Sequence, residues 1–195
     1  RSGQMGRRTW YQARAVIAND PQVPPTHIKV PLMMARTLQA TEIVNAHNHE
    51  WLAELLRNGR GQYPGCTMVT RRNGVRYYVE HTPPDFVLQN GDEMLRDLID
   101  GDVVMFNRMP SLVWSSGTQY QVSIDTFDPD SSIVKMNVHS CVLHNADFDG
   151  DQMNIWAVLS PESRAEIEIM SGAENMFIGY RDIKPVMGAH YDDVV

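Results

Sequence analysis

Asp147, Asp149 and Asp151 stand at alternate positions in the run Asn145-Ala146-Asp147-Phe148-Asp149-Gly150-Asp151-Gln152-Met153-Asn154. In an extended segment that spacing puts three carboxylates on one side. Gly150 lets the backbone turn tightly enough for them to converge. Three ionised carboxylates held so close raise one another's pKa, and a bound divalent cation removes the conflict. With no Cys ligand set nearby, an all-oxygen site suits a hard ion, Mg²⁺ or Mn²⁺. An EF-hand calcium loop counted from Asp147 needs Gly at its sixth position and Glu at its twelfth. Gln152 and Val158 stand there, so that reading fails. A solvated acidic turn is the bland alternative. Phe148 and Met153 among the acids, with a strand expected on each side, argue against it. Mg²⁺ on carboxylates commonly meets phosphate oxygens, so phosphoryl or nucleotidyl transfer is the natural class. Such a site also needs cations for phosphates and donors for sugar hydroxyls. Arg108, within Phe106-Asn107-Arg108-Met109-Pro110-Ser111-Leu112, and Asn145 are candidates.

The elements that must position these residues are short. Residues 13–18 read as a strand, closed by Asn19-Asp20-Pro21 and Pro24-Pro25. Pro31 suits the first turn of a helix holding Leu32, Met33, Ala35, Leu38 and Ala40. Asn48 is placed to cap a second helix with Leu52, Leu55 and Leu56 on one face, stopped at Asn58-Gly59. Residues 67–71 and 76–80 form a hairpin signal around Asn73-Gly74. Gly91 to Gly101 reads as an acidic stretch bounded by turns. Val103–Phe106, Gln119–Asp125, Ile133–Val138 and Ile155–Leu159 read as further strands. Ser160-Pro161-Glu162 opens a last helix to about Met170. Many short strands with inserted helices predict a mainly β, α+β chain built on an irregular barrel.

Composition bounds the rest. At 195 residues and 22.2 kDa the chain can bury one sizeable core, and 43% hydrophobic residues exclude wholesale disorder. The net charge of −7 argues against a simple basic nucleic-acid binder. It is unevenly spread: residues 1–14 hold Arg1, Arg7, Arg8 and Arg14 and no acid. No apolar run approaches a membrane span. Cys66 and Cys141 are the only cysteines, which speaks against a disulfide framework and for a reduced, intracellular setting. Arg1 in place of Met predicts a piece of a longer protein.

These residues carry a resemblance. The run Asn145–Asn154 resembles the metal-binding signature of the largest subunit of multisubunit DNA-directed RNA polymerases. Phe106–Leu112 is similar to that family's second active-site segment. Gly6-Arg7-Arg8 followed by Ala13-Arg14-Ala15-Val16-Ile17 resembles its entry from the DNA clamp into the barrel. Val30-Pro31 through Leu38, Leu55 through Gly59, and Pro64-Gly65 follow in the same order. The likeness covers nearly the whole chain and lies closer to eukaryotic, archaeal and large-DNA-virus enzymes than to bacterial ones.

The resemblance implies a double-psi β-barrel at residues 1–160 with a helical insertion around 31–58, and the start of a following helical region at 161–195. It implies that Asp147, Asp149 and Asp151 hold one Mg²⁺, that a second enters with the nucleoside triphosphate, and that this segment holds no zinc. By motif position Arg108 and Asn145 read the ribose, Pro110 lines the same pocket, and Arg8 and Arg14 lie near the nucleic-acid backbone. The implied activity is DNA-directed RNA synthesis. The implied partners are the second-largest and other polymerase subunits, DNA template, RNA product and ribonucleoside triphosphates, with no membrane. Location would be nuclear or cytoplasmic, or a viral transcription site. Gln152 departs from the usual Glu, Val113-Trp114 from a His-basic pair, and Thr9-Trp10-Tyr11-Gln12 from a Val-Asp-Phe-Ser pattern. These departures point to a divergent, viral lineage.

Rival readings are a nuclease, a zinc site, a different class of polymerase and an inactive barrel. His47-Asn48-His49 spells a nuclease fragment but has no downstream partner segment. His139, His144 and Cys141 lack a fourth zinc ligand, so burial or an exposed edge is their expected fate. A single-chain two-barrel RNA-dependent polymerase shares the Asp-x-Asp-Gly-Asp core. Asn145-Ala146 and the segment at 106–112 favour the multisubunit class. The last alternative is an isolated metal-binding barrel without activity, and the piece alone is expected to be nearly inactive.

Overall fold

The structure, a computed structural model, describes residues 11–83, 85–111, 116–128 and 130–176. Arg8, Thr9, Trp10, Leu112 and Val113-Trp114 lie outside them. Six strands close a barrel: β1 (Gln12–Asn19), β10 (Gln152–Ala157), β7 (Val103–Arg108), β8 (Gly117–Asp125), β2 (His27–Pro31) and β9 (Ile133–Met136), in that order around the wall. Two of the seams are parallel, β1 with β9 and β2 with β8, and the others are antiparallel. This is the double-psi β-barrel. Alternating residues on each strand fill it: Ile17, Ile28, Val30, Phe106, Tyr120, Met136, Met153 and Ile155 are all 2% exposed or less. Burying one such aliphatic or aromatic side chain contributes about 1.5–3 kcal/mol.

Between β2 and β7 the chain leaves the barrel for longer than a helical insertion around 31–58. It forms α1 (Leu32–Ala35), β3 (Gln39–Ile43), α2 (His49–Asn58), β4 (Cys66–Thr70), β5 (Arg76–Tyr78) and β6 (Glu93–Asp97). The four strands make a second sheet in the order β3-β6-β4-β5. Leu52 and Leu55 of α2 share a small separate core with Val69 and Met94. Gly59, at φ +55, ends α2 as expected. The Asn73-Gly74 hairpin also holds: Gly74 is at φ +84, and Arg71 N–H donates to the Val75 carbonyl at 2.8 Å.

Several expected elements differ. The helix from Pro31 lasts a single turn, because Gln39-Ala40-Thr41-Glu42-Ile43 alternates and pairs with β6. The stretch from Gly91 to Gly101 contains β6, one of the second sheet's two interior strands. Two of its acids are buried: Asp92 is paired with Arg71 at 2.6 Å, and Asp97 accepts the Gly65 N–H at 3.0 Å, while Glu93 and Asp100 stay exposed. Asn48 precedes α2 without capping it; its amide binds Asn45 and Ile43 instead. β9 stops at Met136, where the Asn137 side chain accepts the His139 N–H at 3.0 Å and opens a helix, α3 (Val138–His144). A helix, and not a strand, therefore precedes the aspartates.

One buried ion cluster joins the second sheet to the barrel. Arg96 of β6 grips Asp102, just before β7, at 2.7 and 2.9 Å, and Glu42 of β3 at 3.1 Å. Its guanidinium lies 5.5 Å from the Trp51 ring. The last helix, α4 (Pro161–Ser171), starts with the Ser160 hydroxyl accepting the Ser163 N–H, and Arg164 reaches Asp102 at 3.6 Å. Among the described residues no helix is long and apolar enough to cross a membrane.

Candidate metal centre

The loop from Asn145 to Asp151 is held at both ends and in the middle. At its start α3 ends on Asn145, in the left-handed conformation at φ 49, and Ala146 N–H donates to the Cys141 carbonyl at 3.1 Å. Asn is among the few non-glycine types that adopt this conformation at low cost. At its end the Asp151 carbonyl accepts the Ile17 N–H of β1 at 3.1 Å, and Gln152 begins β10. Between them Gly150 sits at φ +116, a backbone state effectively reserved for glycine. The loop also folds on itself, with Asp147 N–H donating to Asp151 Oδ2 at 3.1 Å.

This turn, and not an extended strand, brings the three carboxylates together: one oxygen from each of Asp147, Asp149 and Asp151 lies within 4.8 Å of the others. Oxygens sharing an octahedral Mg²⁺ at about 2.1 Å lie roughly 3–4 Å apart. The donor set is all carboxylate and the gap is closed by small side-chain movements, so the residues fit a hard divalent cation. Asp147 and Asp149 are exposed and Asp151 half-buried, leaving the cluster open to a ligand from solvent.

Arg108 ends β7 beside this loop. The barrel register aligns it with the buried Met153 of β10 and Ala15 of β1, so its side chain shares their inward face, at the barrel rim. Its guanidinium forks onto Asp151, Nε to Oδ2 at 2.7 Å and Nη2 to Oδ1 at 3.0 Å. That hydrogen bond holds the Asp151 carboxyl below its ordinary pKa, while the neighbouring Asp149 carboxyl pushes Asp147 up. A carboxylate offers about four lone-pair directions and a guanidinium five N–H groups. Both partners therefore keep bonding capacity for a third group. Sequence reasoning placed Arg108 against sugar and phosphate and missed its bond to Asp151, 43 positions away.

The other candidates fall around the same rim. Asn145 is exposed at the entry of the aspartate loop. Pro110 is exposed in the turn after β7, behind a cis Met109–Pro110 bond. That turn is pinned by Asn107 and Ser111, whose side chains bond at 2.8 Å. Arg14 is exposed on β1, in one outward row with Asn154 and Asn107. Of the histidines, His144 is buried and His139 half-buried, and neither joins a metal-binding group; the aspartates form the one such cluster among the described residues.

Residues 6–173 match the family described as RNA polymerase Rpb1, domain 2. The DNA-directed RNA polymerase RPB1 homolog of African swine fever virus is 37% identical over 196 residues, covering 100% of this chain and 13% of the viral protein. DNA-directed RNA polymerase subunit 1 of Acanthamoeba polyphaga mimivirus is 35% identical over 188 residues, covering 91% of this chain and 12% of its own length. The matched span takes in the barrel, the second sheet, Arg108 and the aspartate loop, and the chain belongs to the RNA polymerase Rpb1 domain 2 family, as a segment of a largest subunit of the viral type.

Proposed function

We propose that this segment forms the nucleotidyl-transfer centre of a DNA-directed RNA polymerase. The convergence of Asp147, Asp149 and Asp151 on one point, with Arg108 locked to Asp151, carries the reading. The three aspartates hold Mg²⁺. When bound, the ion supplies Lewis-acid activation of the RNA 3′-hydroxyl and charge neutralisation at the α-phosphate, and a second ion accompanies the triphosphate. The chain's own residues do the positioning. Asp151 is kept ionised by Arg108. Arg108 turns its remaining N–H groups, with Asn145, toward the ribose hydroxyls, and Pro110 shapes the same pocket. Arg14, and Arg8 outside the described residues, meet backbone phosphates, a contact that makes binding salt-sensitive. Residues 1–160 act as the barrel unit, and 161–195 begin the next helical region.

The chain spans 13% and 12% of the viral relatives named above, so the work is done in an assembled enzyme. Its partners are a second-largest subunit, further subunits, DNA, RNA and ribonucleoside triphosphates. The viral relatives support an intracellular setting. Asp149→Ala in the assembled polymerase is expected to abolish Mg²⁺-dependent RNA synthesis while subunit assembly persists. Undiminished elongation would refute the metal assignment. Template-directed synthesis by the 195-residue chain alone would refute its dependence on partners.

A further inference from the structure

His144 is the last residue of α3 and stands directly before the loop that carries Asn145 and the aspartates. Its imidazole is 2% exposed and both ring nitrogens are engaged. Nε2 lies 2.9 Å from the Tyr120 hydroxyl, and Nδ1 lies 3.0 Å from the Ser116 carbonyl. A carbonyl only accepts, so Nδ1 carries the proton and Nε2 accepts from Tyr120. Burial depresses the imidazole pKa to about 4, which keeps this neutral tautomer across ordinary pH. The ring also meets Phe106 edge-on at 5.7 Å and Tyr120 at 5.7 Å, while Phe106 and Tyr120 lie 5.8 Å apart.

Three segments that bear the proposed sugar site therefore converge on one side chain. Phe106 sits two residues before Arg108 on β7. Ser116 stands at the head of β8, where the chain returns from the Pro110 turn. His144 itself precedes Asn145. Packing alone fixes rings to within their loose contact distances, whereas a hydrogen bond to a backbone carbonyl fixes the strand head in direction as well.

We propose that His144 is a positioning residue that sets the spacing between the Arg108–Pro110 segment and the Asn145–Asp151 loop, through its Nδ1–H bond to the Ser116 carbonyl. This rests on the reading that Arg108 and Asn145 meet the ribose. Its consequence is a specific one: loss of the bond degrades discrimination against deoxyribonucleotides more than it degrades turnover.

The test uses the assembled polymerase and measures kcat/KM for a ribonucleotide and the matching deoxyribonucleotide. His144→Phe keeps the ring and deletes both hydrogen bonds. His144→Gln reaches the Nε2 position, keeping Tyr120 and losing Ser116. His144→Asn places an amide N–H near Nδ1 and restores the donor to Ser116. One net hydrogen bond is a factor of about five to ten. His144→Phe and His144→Gln should lower the ribo/deoxy ratio by about that factor, mainly through the ribonucleotide KM, and His144→Asn should return it to within about twofold of the unaltered enzyme. Where His144→Phe fails to assemble, the Gln and Asn pair decides. An unchanged ratio in His144→Gln, or an equal fall in His144→Asn, overturns the inference. Arg108→Ala separates the two levels. Lost discrimination there with unchanged His144 variants sinks the inference alone, and unchanged discrimination in Arg108→Ala sinks the ribose reading beneath it.

Discussion

Asp97→Asn is expected to stabilise the chain at alkaline pH and not at acid pH. Asp97 is 6% exposed at the end of β6, and burial pushes its carboxyl up to about 6 from an ordinary 3.8. Arg36, Arg60 and Arg96 and the Gly65 N–H pull the other way and lose to desolvation. The folded state thus prefers the protonated acid. Below pH 3.8 both folded and unfolded chains are protonated and the full stability is present. As pH rises through about 6 it is lost, because the unfolded chain ionises first. A gap of about two pKa units corresponds to an upper limit of roughly 3 kcal/mol. Asn keeps an oxygen for the Gly65 N–H, at 3.0 Å in the native bond, but adds an NH₂ that costs about 1 kcal/mol where it lacks an acceptor. The net gain near pH 8 is about 1–2 kcal/mol, or about 2–5 °C in Tm for a chain of this size. Thermal melts of both proteins at pH 4 and pH 8, followed by circular dichroism, measure it. A lower Tm for Asp97→Asn at pH 8, with equal values at pH 4, would show that the ionised carboxylate is stabilising and refute the desolvation argument.

Other perturbations read out other parts of the fold. Arg96→Met leaves Asp102 and Glu42 without their main cation and should cost about 3–5 kcal/mol in urea unfolding; an unchanged midpoint would show that the cluster is not the joint between sheet and barrel. Gly150→Ala meets no atom within 4 Å, so its effect is pure backbone strain at φ +116, about 1–3 kcal/mol. Part of that strain should appear as weaker Mg²⁺ binding by titration calorimetry. Equal affinity would mean that the loop reaches its metal-binding shape without the turn.

The aspartate cluster was legible because its chemistry is local: three aspartates and a glycine lie within five consecutive residues. The Asn73-Gly74 hairpin was legible for the same reason. β6 was hidden because Asp92, Arg96 and Asp97 look like solvated charge until their partners at Arg71, Asp102 and Gly65 are known. α3 was hidden because Ile133–Val138 alternates smoothly, and only the Asn137 cap marks the change of period. Arg108 was recognised as a cation, yet its bond to Asp151 depends on the register of β7 against β10, which no local pattern encodes.

The seam that anchors the aspartate loop joins the two ends of the barrel: Val16 of β1 pairs with Gln152 of β10. During synthesis β1 emerges early and must wait for almost the whole barrel sequence before its neighbour exists. The second sheet is contained between β2 and β7 and has its own core, so it can consolidate first. Contacts so distant along the chain pay their loop-closure entropy before they return any stability, which favours late closure of this seam. The candidate metal loop takes two of its anchors from distant strands, the Ile17 N–H and the Arg108 guanidinium, so a cation titration of this loop would also read how complete the wall around it is.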